Sequence, residues 1–127
     1  MFITKLLSYP PPQVRLPIIA KLISAYRQWQ EWLGHFPKNS KYTLGSKIDD
    51  LFIEIIENIF TASYLPSGQK LPLLQKASSK LDLLKFFLQI SWEIKALDKN
   101  KYIRLSEPLN EVGKMLGGWS KQITSTK

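Results

Sequence analysis

Residues 70–98 read KLPLLQKASSKLDLLKFFLQISWEIKALD. Within them, small and apolar residues recur in alternating steps of three and four, at Leu74, Ala77, Leu81, Leu84, Leu88 and Ser91. This spacing places all six on one face of an α-helix. The sequence therefore predicts a long amphipathic helix over about residues 70–97, ended by the turn-forming residues 98–100.

Three further segments have the same periodicity. Leu16-Pro17 suits a helix start, and Gly34 and Pro37 bracket the end of that helix. A second helix is expected from Asn39 or Ser40 to about Tyr64. A fourth is expected from Tyr102 until Gly117-Gly118 stops it, with a kink or a broken start at Pro108. The predicted core lines are Ile18, Leu22, Ala25, Trp29 and Trp32, then Ile48, Phe52, Ile55, Ile59 and Ala62, and finally Tyr102, Leu105, Leu109, Val112 and Leu116.

No segment alternates with the two-residue period of a sheet strand, so the predicted class is all-α. Four amphipathic helices joined by short loops favour an antiparallel up-down-up-down four-helix bundle. The predicted organisation is an apolar, proline-rich arm over residues 1–14, the bundle over residues 15–119, and a polar tail over residues 120–127.

The composition narrows the function classes. The 127 residues amount to one domain, and the absence of cysteine excludes disulfides, thiolate nucleophiles and cysteine metal sites. The formal net charge of +8 and pI of about 9.7 favour polyanionic partners. No apolar run approaches the roughly 18 residues of a membrane span, and the N-terminus is a poor signal peptide. We expect a cytoplasmic protein.

The positions of the acidic residues and of the single histidine predict no catalytic residue, no metal site and no cofactor. Asp49 and Asp50 are adjacent and therefore point about 100° apart on a helix. Asp50, Glu54 and Glu57 are expected to form a solvated acidic face. The single histidine, His35, lies at a helix end, where capping is favoured over catalysis.

Second apolar lines lie beside the core lines on two helices. Bulky side chains at the core edge would explain them, and so would an oligomer or partner interface, which we favour because large apolar patches rarely stay exposed. The predicted interface residues are Ile19, Ile23 and Tyr26 on the first helix and Leu83, Phe87, Ile90 and Ile94 on the third.

Most of the excess positive charge lies after residue 60. These cations are either solubilising or contacts to phosphates, whose neutralisation releases counterions. Lysine outnumbers arginine, which suits backbone contact better than base reading. The candidate nucleic-acid-binding residues are Lys21, Arg27, Lys76, Lys80, Lys95, Lys99, Lys101 and Arg104.

Several segments together resemble a family of small bacterial and phage four-helix proteins. They are HFPKNSKYTLGSKID (35–49), ASYLP (62–66), residues 70–98, Lys101-Tyr102, Leu105-Ser106 and GKMLGGW (113–119). The family includes Avd, the accessory variability determinant of diversity-generating retroelements, and is related to four-helix proteins encoded in ribosomal RNA intervening sequences. The resemblance covers about residues 20–119. Pro108 departs from the expected helical pattern, and the arm lies outside the resemblance.

The resemblance implies a positively charged, barrel-like homopentamer without enzymatic activity. It also implies association with the retroelement's reverse transcriptase and with RNA that contains the template repeat, with cDNA as a further ligand. Such a protein supports the mutagenic cDNA synthesis that is used in retrohoming. Two alternatives remain open: a ribosomal-RNA-associated protein without a polymerase partner, and a structural oligomeric helical module.

Overall fold

Four long helices account for most of the chain. The computed structural model describes residues 16–125, and the predicted arm lies outside the described residues. No strand occurs within this range. The helices are α1 (Pro17–Leu33), α2 (Ser46–Tyr64), α3 (Ser67–Glu93) and α4 (Lys99–Ser125).

The helices form a four-sided bundle. Each helix packs against its neighbours in sequence, and α1 also packs against α4. The core lines predicted for α2 and α3 are buried in full, and in the other two helices only Trp32 and Tyr102 are left half-buried. The prediction of an all-helical four-helix bundle is therefore confirmed.

The chain becomes helical at Lys38, close to the predicted start of the second helix, but the first part of that helix contains an irregular segment that was not predicted. One α-helical turn, Lys38–Ser40, leads into a π-helical segment, Lys41–Gly45, and α2 begins only at Ser46. A Cβ atom at Gly45 would lie 3.1 Å from Cδ1 of Leu33. The close approach of this segment to the end of α1 therefore requires a residue without a bulky side chain.

The predicted limits of α3 are wrong at both ends. The helix begins at Ser67, with Pro66 preceding it, and ends at Glu93 instead of about residue 97. Leu97 is buried, and it reaches the core from the turn that follows the helix. The sequence pattern missed this end because an apolar residue in a turn continues the apolar spacing of the helix before it.

The predicted limits of α4 are also wrong. Its first turn begins at Lys99, and the helix passes through Gly117-Gly118 into the predicted polar tail, as far as Ser125. No glycine has a positive φ, and the buried Ile123 explains why the helix continues. Pro108 lies inside α4 and does not break its start, since the helix is continuous from Lys99 to Ser125.

The two adjacent aspartates have different roles in the fold. Trp29 is fully buried, and its Nε1 donates a hydrogen bond of 3.2 Å to Oδ1 of Asp49. Nε2 of Gln30 donates to the same oxygen at 2.7 Å. Asp50 is exposed. Asp49 thus joins α1 to the first turn of α2, whereas Asp50 faces solvent.

We predict that Asp49→Ala lowers the free energy of unfolding by about 1–3 kcal/mol, because it leaves the buried indole N–H of Trp29 without its acceptor. Chemical denaturation measures this change. Asp50→Ala is the matched control and should stay within about 0.5 kcal/mol of the wild type. Equal losses in the two variants would contradict the assignment.

Candidate nucleic-acid interface

The turn between α3 and α4 positions one group of cationic side chains. Beyond α3, Lys95 adopts a φ of 65°, in the left-handed region. The carbonyl oxygen of Ser91 then accepts hydrogen bonds from the backbone N–H groups of Ala96 (2.8 Å) and Leu97 (3.1 Å). Both bonds end on this one carbonyl near the end of α3, and the Lys95 side chain is exposed.

Asp98 fixes the start of α4. Its Oδ1 accepts a hydrogen bond of 2.9 Å from the backbone N–H of Lys101, in the manner of an N-cap. The first turns of α4 then carry Lys99, Lys101 and Arg104. Lys95, Lys99, Lys101 and Arg104 therefore lie together at one end of the bundle, and we call these four residues the turn cluster.

A cleft separates the turn cluster from the end of α1. Its volume is about 510 Å³, and it is lined by Trp32, Asp98, Asn100, Lys101, Ile103 and Arg104. Nζ of Lys101 lies 5.7 Å from the centroid of the Trp32 ring, in a cation–π arrangement. Sequence reasoning placed Trp32 in the core line. In the sequence Trp32 fits that line, and only its half-buried position beside the start of α4 identifies it as part of a site.

The other four candidate cations lie elsewhere. Lys21 forms a salt bridge of 2.5 Å with Glu111, and Lys80 forms one of 2.9 Å with Glu54. Arg27 is exposed on α1. Lys76 is exposed on α3, seventeen residues before its end, which corresponds to roughly 25 Å along the helix axis. The structure thus brings four of the eight predicted residues together.

The salt bridge with Lys21 changes the pKa of Glu111. The hydrogen bond and the positive charge of Lys21 lower the pKa of Glu111 below its usual value, and Lys114 contributes less. At neutral pH this carboxylate is therefore ionised and holds Lys21 on the α1–α4 surface.

The predicted interface residues on α1 lie mainly along the core edge. Ile19 and Tyr26 pack against the core, and the Tyr26 and Phe52 rings have centroids 5.5 Å apart. Burial, followed by the hydrogen bond and charge of Asp49, raises the pKa of the Tyr26 hydroxyl. Ile23 is half-buried.

The predicted interface residues on α3 are more exposed. Leu83 is 38% exposed and Ile94 is 53% exposed, whereas Ile90 is half-buried and Phe87 packs against the core. Phe86, which the sequence reasoning missed, is 53% exposed beside them. An apolar surface therefore lies on the outer side of α3 and at the residue after it, consisting of Leu83, Phe86 and Ile90 of α3 with Ile94 of the turn, which we call the α3 face.

The described residues contain neither a helix that could span a membrane nor a cluster of metal-binding side chains. Within residues 16–125 no helix is long and apolar enough to cross a membrane. The same range contains no group of three or more His, Cys, Asp or Glu side chains placed to hold a metal ion.

Comparison with known proteins identifies the family. Residues 18–123, which include the turn cluster and all of the four helices except Pro17 and the last two residues of α4, match the family model described as bAvd-like. The chain belongs to the bAvd-like family. This match confirms the resemblance to Avd proteins of diversity-generating retroelements. Proteins of this kind are accessory and non-catalytic. No curated protein and no solved structure shows significant similarity to the chain.

We predict that Lys21→Gln raises the pKa of Glu111 toward its ordinary value, because the hydrogen bond and the positive charge that lower it are both removed. Titration of the side-chain carboxyl by NMR measures the shift. Lys114→Gln removes the same charge without a hydrogen bond and should produce a smaller rise. If the two substitutions had equal effects, the ion pair would not hold Glu111 in solution.

Proposed function

We propose that this bAvd-like protein is the non-enzymatic accessory protein of a diversity-generating retroelement. It binds the reverse transcriptase of that element and RNA containing the template repeat, with cDNA as a further ligand. In this way it supports mutagenic cDNA synthesis and retrohoming in the cytoplasm. The observation that carries the proposal is the family match over residues 18–123.

The turn cluster is the primary RNA-binding surface in this proposal. Its four cations are contributed by one turn and the start of one helix, so they present positive charge over a short distance. Neutralisation of phosphates by such residues releases counterions and makes binding dependent on salt. Arg27 and Lys76 extend the surface, whereas Lys21 and Lys80 contribute only after they exchange a carboxylate for a phosphate.

The same proposal includes a homopentamer. The α3 face supports self-association, because it leaves large apolar side chains in contact with water in the single chain. The half-buried Ile19, Ile23 and Tyr26 lie on α1, which is diagonal to α3 in the bundle, so in a closed ring they would contact the α3 face of the next chain. Five chains, each with a net charge of +8, would give a strongly cationic assembly to which polyanions are attracted.

We predict that the double substitution Lys99→Glu, Arg104→Glu lowers the affinity for RNA about tenfold or more. The slope of log affinity against log salt concentration should fall by the amount that corresponds to about two phosphate contacts. A filter-binding titration at several salt concentrations measures both. Circular dichroism should remain helical, because both residues are exposed.

Lys114→Glu, Lys121→Glu is the matched control for this experiment. These residues are exposed on the same helix, and the change in charge is the same. A smaller loss is expected, since they lie away from the turn cluster. If both pairs weakened binding equally, affinity would follow net charge alone and the site assignment would fail.

We predict that light scattering of the purified chain gives a mass of about 74 kDa, five times the 14.7 kDa of one chain. Leu83→Glu, Ile94→Glu should reduce the mass to that of one chain, because each carboxylate would be desolvated in the contact. Ile53→Glu, at an exposed apolar position on α2, is the control and should leave the mass unchanged.

Co-expression with the reverse transcriptase should increase the mass further. RNA binding without this increase would favour a ribosomal-RNA-associated function. A protein that remains monomeric at high concentration would refute the pentamer.

A further inference from the structure

The cleft between α1 and α4 combines an aromatic ring with two cationic groups. The ring of Trp32 forms one side, and Lys101 and Arg104 supply positive charge from α4. Asp98 contributes one carboxylate, so the lining side chains carry a net charge of +1. Asn100 adds an amide that both donates and accepts hydrogen bonds. These groups match the parts of a nucleotide, because it carries a flat base, a polar base edge and a phosphate.

We propose that the cleft binds one nucleotide of single-stranded RNA, with its base stacked on Trp32 and its phosphate held by Lys101 and Arg104. The inference rests on the proposed RNA-binding function and adds to it a preference for unpaired RNA. The ammonium of Lys101 already occupies the position above the indole ring, 5.7 Å from its centroid. The base replaces the ammonium there, and Lys101 moves to the adjacent phosphate.

The requirement for an unpaired nucleotide follows from geometry. A base within a duplex is covered on both faces by its neighbours, whereas an unpaired base exposes a face for an aromatic side chain. Duplex RNA can still contact the turn cluster through its phosphates. Base stacking therefore favours binding of single-stranded RNA over duplex RNA, whereas phosphate contacts are available to both.

Lys101 is available for this exchange. Among residues 16–125 no carboxylate forms a salt bridge with its ammonium, in contrast to Lys21 and Lys80. Its contact with Trp32 is a cation–π interaction at the protein surface, where such interactions are weak. Replacing it by base stacking and a phosphate contact therefore has a small cost.

The opposite end of the bundle provides an internal control. Nζ of Lys70 lies 5.9 Å from the centroid of the Trp119 ring, so the local arrangement is the same. However, Nζ of Lys70 also donates a hydrogen bond of 2.6 Å to the carbonyl oxygen of Ala62, which holds it at the end of α2. Trp119 is half-buried and packs against the core, as Trp32 does.

The test compares a single-stranded oligouridine with an RNA duplex of the same length by fluorescence anisotropy at low salt. The wild type should bind the single strand more tightly than the duplex. Trp32→Leu should weaken single-strand binding about tenfold, in line with the loss of one stacked base, and leave duplex binding unchanged. Trp32→Tyr should retain the preference, because it restores an aromatic face. Trp119→Leu should behave as the wild type.

Tryptophan quenching provides a second readout that does not depend on the stability of Trp32→Leu. Oligouridine should quench the fluorescence of the wild type and of Trp119→Leu. It should quench Trp32→Tyr much less, although that variant still binds. Retention of full quenching in Trp32→Tyr would overturn the proposal.

Failure of this inference and failure of the proposed function differ in their results. Equal affinity of the wild type for the two RNAs, or an equal loss for both in Trp32→Leu, would overturn the cleft alone. Absence of any RNA binding by the wild type at low salt would overturn RNA binding and the cleft together.

Discussion

The five residues between α3 and α4 must reverse the chain direction and still return an apolar side chain to the core. The carbonyl oxygen of Ser91 makes this possible by accepting two backbone hydrogen bonds, after which Leu97 is buried and Asp98 caps α4. Of the other three residues of the turn, Ile94 and Lys95 are exposed and Ala96 packs against the core. Because the helices are antiparallel, this turn lies at the same end of the bundle as the C-terminal end of α1. The cleft at Trp32 is a result of that arrangement.

The fold could be predicted from the sequence because it depends on a repeated signal. In α3 each step of three or four residues returns a side chain to the same face, and all six predicted positions are buried. The end of a helix depends on the contacts of individual residues, which the periodic spacing of apolar residues does not reveal. Gly117 and Gly118 favour a stop, but Ile123 beyond them is buried, and the packing of that residue keeps α4 helical. The π-helical segment before α2 is likewise absent from the apolar spacing, and so is the close approach of Gly45 to Leu33, which is a tertiary contact.

The candidate site could be predicted only in part. Lys95, Lys99, Lys101 and Arg104 are close in the sequence, so their grouping was visible there. Whether a lysine is paired depends instead on which helix lies beside it. Lys80 points toward Glu54 of α2, and neither residue indicates the other in the sequence. Trp32 fits the core line of α1, and only the neighbouring start of α4 turns its exposed side into the wall of a cleft. The segments that resemble the Avd family, which the family match confirms, indicate the kind of biological system to which the chain belongs; helix periodicity and charge do not.

At Lys95 the left-handed backbone conformation favours glycine, whereas the positive charge at this end of the bundle requires a basic side chain. A residue with a side chain adopts a φ of 65° at a cost of about 1 kcal/mol, which glycine avoids. Glycine would end α3 more favourably but would remove a positive charge from the end of the bundle. Selection for thermal stability alone would favour glycine at this position, whereas selection for binding to a polyanion would favour a basic residue. The amino acid found at this position in any descendant lineage would therefore record which of the two pressures had been stronger.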